Sequence, residues 1–142
     1  MFILDTNAIS ELRKGPRVPS AAPIVAWAAQ VEEERMFISA ITLLELDIGV
    51  RLVERKDPIQ GQHLRRWLDQ QVRPTFAGRI LPVDERVVLR CSPFHVPDPA
   101  PERDMLIAAT GLVHAMTIVT RNSRDFIRSG VEIHNPWENG NG

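Results

Sequence analysis

Four acids of this 142-residue chain stand where chemistry could be done: Asp5, Glu45, Asp104 and Asp125, with the amide Asn122 beside the last. Asp5 directly follows the apolar run Phe2-Ile-Leu4, which reads as a strand buried on both faces. A carboxylate at the carboxyl end of such a strand points into the crevice where open α/β sheets hold ligands. Burying that charge is costly, so Asp5 needs a cation, hydrogen bonds or both. Asp5 or Thr6 could instead simply cap the helix that begins at Ala8-Ile-Ser-Glu-Leu12. The decision rests on whether the other acids converge on it. An all-oxygen donor set without His or Cys suits a hard cation, Mg²⁺ or Mn²⁺, as one or two ions.

The elements that must position these groups follow from the apolar pattern. After a basic, Pro-punctuated loop over Arg13–Pro19, Ser20 is expected to cap a helix from Ala21 to Glu33. Met36–Ser39 reads as a second strand running directly into a helix from Ala40 to Glu54. On a wheel of ~100° per residue, Ile41, Leu44, Ile48 and Leu52 share one arc, and Glu45 falls on that same apolar side. The bland reading of Glu45 is a snorkelling edge residue. Leu43, Leu46, Val50 and Val53 form a second arc, so one of the two faces could meet another subunit. Asp47, Arg51 and Glu54 look like solvated surface, as do Arg65, Arg66 and Arg73 on a helix expected over Asp57–Phe76.

Arg79–Val83 is the third expected strand, and Asp84 starts a short helix to Arg90. The proline-rich His95–Arg103 stretch is expected to be extended and stiff. Asp104 opens the next helix, to Ala115, where it could serve as a cap or face the macrodipole. Thr117–Thr120 is a fourth strand that delivers Asn122 and Asp125 to the same edge as Asp5. Val131–His134 is the last, before a short Gly/Asn-rich tail at 138–142. Strands alternating with helices imply a single domain over 1–137, a three-layer α/β/α sandwich with a mostly parallel sheet of four to five strands.

Composition bounds the rest. A hydrophobic fraction of 44%, charged fraction of 25% and net charge of −1 are those of an ordinary globular protein without a global basic footprint. The single Cys91 suits a reducing cytosol, and no apolar run could cross a bilayer, so a cytoplasmic protein without a membrane partner is expected. The four histidines have no zinc-ligand spacing.

Four blocks, Phe2-Ile-Leu-Asp-Thr-Asn-Ala-Ile-Ser-Glu11, Ser39-Ala-Ile-Thr-Leu-Leu-Glu-Leu46, Arg103-Asp-Met-Leu-Ile-Ala-Ala-Thr110 and Thr120-Arg-Asn-Ser-Arg-Asp-Phe126, resemble the motifs of PIN-domain proteins. The closing Asn135-Pro-Trp137 is similar to the VapC/FitB-like branch, toxins of type II toxin–antitoxin operons. The resemblance implies a metal-dependent endoribonuclease in which Asp5, Glu45 and Asp104 are the main metal-binding acids. Asn122 matches the fourth position, with Asp125 one turn on as an alternative carboxylate. Thr6, Asn7 and Thr120 match supporting positions. Arg13, Lys14, Arg121 and Arg124 are candidates for an RNA-binding rim, whose affinity would depend on salt. The resemblance also implies a cognate VapB-like antitoxin, operator DNA bound only through it, and a homodimer.

Rival readings fit less well. A haloacid-dehalogenase-type phosphatase would want a second Asp two residues after Asp5, where Asn7 stands, and a receiver domain would want paired acids there. From another class, a non-catalytic PIN-like module could use the acidic pocket only for partner binding or operon regulation.

Overall fold

The computed structural model describes residues 1–138; of the expected tail, 139–142 lie outside the described residues. Five strands form one parallel sheet in the order β3-β2-β1-β4-β5: β1 (Phe2–Leu4), β2 (Met36–Ser39), β3 (Ile80–Leu81), β4 (Thr117–Val119) and β5 (Ile133–His134). Successive residues of the central strands point to opposite faces, and both faces are covered. Ile3 and Ile118 join one core with Val87, Met105, Ala108 and Phe126. Leu4 and Val119 join the other with Ile9, Ile24, Leu46, Leu68 and Phe76. The three-layer parallel α/β/α architecture expected from the sequence is the one found.

The helices are α1 (Thr6–Lys14), α2 (Ala22–Ala29), α3 (Ala40–Lys56), α4 (Pro58–Trp67), the single turn α5 (Arg73–Thr75), α6 (Glu85–Cys91) and α7 (Glu102–Val113). The strand order reverses direction at β1: the chain steps to β2 and β3 on one side, then crosses to β4 and β5 on the other. That switch point opens a crevice at the carboxyl ends of β1 and β4, the place where such sheets hold ligands. The Asp5 amide, donating to the Val119 carbonyl at 3.1 Å, keeps the two strand ends in step.

Several expectations are corrected. Ser20 does not cap α2; the cap is Ala21, with no side-chain bond, and the helix ends at Ala29 before a separate 3₁₀ turn at Glu33–Arg35. The Asp57–Phe76 helix is interrupted by a π-turn at Leu68–Val72, just before Pro74, which lacks an amide donor for the regular pattern. Asp104 does not open its helix, which starts two residues earlier at Glu102. The expected extended His95–Arg103 stretch is irregular only over Val96–Pro101, because His95 closes a 3₁₀ turn from Ser92 and Glu102 and Arg103 already belong to α7.

On α3 the sheet buries Thr42, Leu46 and Val50, at i, i+4 and i+8, while Leu44 and Leu52 are 45% and 60% exposed. Both arcs are apolar, so periodicity alone could not say which one faces the sheet. Nor are the charges of α3 free. Arg65 of α4 reaches Asp47 at 2.6 Å and Glu54 at 3.2 Å, and both carboxyls sit below their ordinary range because of those hydrogen bonds and the one from Arg51 to Asp47.

Candidate functional site

Asp5 ends β1 and caps α1 at once. Its Oδ1 accepts from the Ala8 amide at 2.8 Å, and the residue is 5% exposed. Capping and a place in the cleft are therefore not alternatives here. Burial raises the Asp5 carboxyl from 3.8 to about 6, against the Thr120 hydroxyl and the Ala8 amide, which both favour the ionised form. Asp104 and Glu45 push it further up by like-charge repulsion.

Glu45 stands half-buried on the second turn of α3, whose start is fixed by Ser39 Oγ accepting from the Ile41 amide at 3.0 Å. Its Oε1 accepts from the Thr6 hydroxyl at 2.5 Å, and Thr6 in turn stands 3.3 Å from the buried Thr42 hydroxyl. Its Oε2 lies 3.8 Å from the Arg103 guanidinium, which comes from the first turn of α7. Asp104, in that same turn, is half-buried, and its carboxyl is raised by burial, then by Asp125 and Glu45. After β4, Thr120 Oγ1 accepts from the Asn122 amide at 2.9 Å and so sets the loop that carries Asn122 and Asp125.

These groups meet. Asp5, Thr6, Asn7, Glu45, Asp104, Asn122 and Asp125 line one cleft of about 200 Å³, floored by Ile107 and Phe126. Both candidates for the fourth position, Asn122 and Asp125, reach it. Among the described residues, no three His, Cys, Asp or Glu side chains are gathered into a ready-made metal cage. The acids stand around a cleft rather than in contact. Their chemistry nevertheless fits a hard cation: oxygen donors only, a buried carboxyl pushed up by its neighbours, and a cleft whose charge is offset only at its edge by Arg103.

The four basic residues divide. Arg121 and Arg124 line a second cleft that shares Asn122 and Asp125 with the first. Lys14 is bound to Glu11 at 2.5 Å, and Arg13 lies over the Trp67 ring in a separate groove between α1 and α4. Sequence reading passed over Thr42, Arg103 and Glu11. Thr42 and Glu11 are polar residues on helices that could have been solvated faces; Thr42 is buried where α3 meets Thr6 of α1, and Glu11 stands among Lys14, Ser20 and Arg121.

A family profile described as PIN domain matches residues 2–131. The toxin FitB of Neisseria gonorrhoeae is 38% identical over 96% of this chain and 99% of its own length. The VapC ribonuclease Y4jK of Sinorhizobium fredii is 34% identical over 97% and 99%. Among solved structures, FitAcB from Neisseria gonorrhoeae superposes with a TM-score of 0.85 at 35% identity, covering 98% of this chain and 100% of that one. VapBC-1 from nontypeable Haemophilus influenzae shares the fold, with a TM-score of 0.71 at 20% identity over 96% and 98%. With the profile spanning the strand ends and helix turns that carry the acidic cleft, and full-length likeness to named toxins, the chain belongs to the PIN-domain family, in its VapC/FitB-like toxin branch.

Proposed function

We propose that this protein is a metal-dependent endoribonuclease, the toxin of a type II toxin–antitoxin pair, hydrolysing RNA phosphodiester bonds. The observation that supports it best is the convergence of Asp5, Glu45, Asp104, Asn122 and Asp125, from four separate elements, on one cleft at the switch point of the sheet. These five residues would hold Mg²⁺ or Mn²⁺, as one or two ions. A divalent cation held there would polarise the scissile phosphate and lower the pKa of an attacking water.

The protein's own share is positioning. Thr6 locks the Glu45 carboxylate, the Ala8 amide and Thr120 hold Asp5, and Thr120 fixes the Asn122 loop. Without a cation, Asp5 holds its proton up to about pH 6, so a metal ion and a proton would compete for this carboxyl.

A cognate antitoxin of the VapB kind controls the activity. Relatives named FitAB and VapBC were solved as complexes, one of the former bound to a DNA fragment. With a net charge of −1, this chain leaves operator contacts to the antitoxin. The exposed Leu44 and Leu52 of α3, with Ile59 of α4 72% exposed beside them in sequence, supply an apolar surface for a homodimer.

The test is RNA cleavage by purified protein with Mg²⁺ or Mn²⁺, with EDTA, and with Asp5→Asn. Cleavage that EDTA abolishes and Asp5→Asn lacks is the expected result. Undiminished cleavage in EDTA, or by the variant, would overturn the metal-dependent mechanism at Asp5, and no cleavage by the wild type under any condition would leave a module that only binds partners.

A further inference from the structure

Resting on the ribonuclease reading, we infer that the cleft beside the acids is a subsite for the nucleotide flanking the scissile phosphate, and that Glu11 is the positioning residue that aims its Arg121. The cleft holds about 440 Å³, within the ~300–1,000 Å³ typical of small-ligand sites, so one nucleotide fits. It is lined by Arg121, Ser123, Arg124, Asn135 and Glu138, and it shares Asn122 and Asp125 with the acidic cleft. A strand of RNA entering one cleft therefore passes directly into the other.

The loop is stiffened for this. Asn135 donates through Nδ2 to the Arg121 carbonyl and to Ser123 Oγ, both at 3.0 Å, and accepts through Oδ1 from the Trp137 amide at 2.9 Å. Trp137 is itself pinned by its indole N–H donating to the Ser20 carbonyl at 2.7 Å. The Arg121 side chain lies over the Trp137 ring, 5.8 Å from its centroid. Glu11 also reaches the same guanidinium.

Glu11 is an odd residue to bury. Only 9% of it is exposed, and its Oε2 binds Lys14 at 2.5 Å. Its Oε1 is buried and faces Arg121 Nη1 at 4.0 Å, and the Lys14 ammonium and the Ser20 hydroxyl also hold the carboxyl in its ionised form. What the arrangement secures is a guanidinium held by a carboxylate and an indole yet still half exposed, preorganised for a phosphate. Arg124 adds a second guanidinium, while Glu138 and Ser123 can meet ribose hydroxyls, which only RNA presents at the 2′ position.

The experiment measures steady-state cleavage of a short single-stranded RNA oligonucleotide by wild-type protein, Glu11→Gln, Arg121→Ala and the double variant, across a salt series. Arg86→Ala, on exposed α6, controls for lost charge. Arg121→Ala is expected to raise KM about tenfold and to flatten the salt dependence by about 0.7 in log–log slope. Glu11→Gln, isosteric and checked for folding by circular dichroism, is expected to raise KM severalfold. The double variant is expected to be no worse than Arg121→Ala alone, because both act through one guanidinium. A wild-type KM for Glu11→Gln, or full additivity in the double variant, overturns the inference while leaving the nuclease intact. Absence of cleavage by the wild type instead removes the reading on which the inference rests.

Discussion

The Asp5 carboxyl titrates near 6 in the folded protein and near its ordinary 3.8 when unfolded. Between those values the folded state binds the extra proton, so the contribution of this group to stability is full below 3.8 and is lost as pH rises through about 6. Above that, stability stays lower by about 3 kcal/mol at most. Asp5→Asn, which keeps a good helix cap, is therefore expected to unfold at a higher temperature than wild type at pH 7.5 in EDTA. The same variant should cut RNA at least about a hundredfold more slowly. Differential scanning and a cleavage assay on one preparation check both halves. Thr6→Val removes the hydroxyl from Glu45 and should weaken Mn²⁺ binding about 10- to 100-fold, read by titration calorimetry. The residue types of the cleft were legible in the sequence because carboxylates after a buried strand have few harmless uses. What was not legible was Asp5 doing two jobs. The resemblance gave Thr6 a supporting place, but its partner Glu45, 39 positions away on another helix, was not legible either.

Among the elements, α3 and α4 are joined by a close approach at Gly61, where an added Cβ would overlap the Glu54 backbone. Gly61→Ala should cost about 1–3 kcal/mol in urea unfolding, against the stabilisation Ala would give an unobstructed helix. The approach also brings Arg65 within reach of Asp47 and Glu54. The strands and the long helices were readable from short apolar runs and period-3.6 spacing. The π-turn at Leu68–Val72 was not, since its amphipathic pattern differs from an α-helix by a single residue of phase. The buried face of α3 was ambiguous for a related reason. Two apolar arcs of similar strength, one through Leu44 and Leu52 and one through Leu46 and Val50, compete, and only the sheet decides between them.

At the level of the whole molecule, the arc that the sheet leaves uncovered is the one we propose for contact with a second copy. Leu44→Glu with Leu52→Glu is expected to convert a dimer to a monomer in light scattering, with the fold retained, because neither residue is in the core. No helix among the described residues is long and apolar enough to cross a membrane. The pairing of β1 with β4 has a consequence for how the protein is made. The first acid is synthesised at position 5, but its neighbour strand arrives only at Thr117–Val119, and Asp125 later still. Until then the nascent chain has only the β3-β2-β1 side of the sheet, and β1 lacks its neighbour on the other side. A fragment ending upstream of β4 therefore lacks both the partner strand of β1 and two residues of the cleft, Asn122 and Asp125.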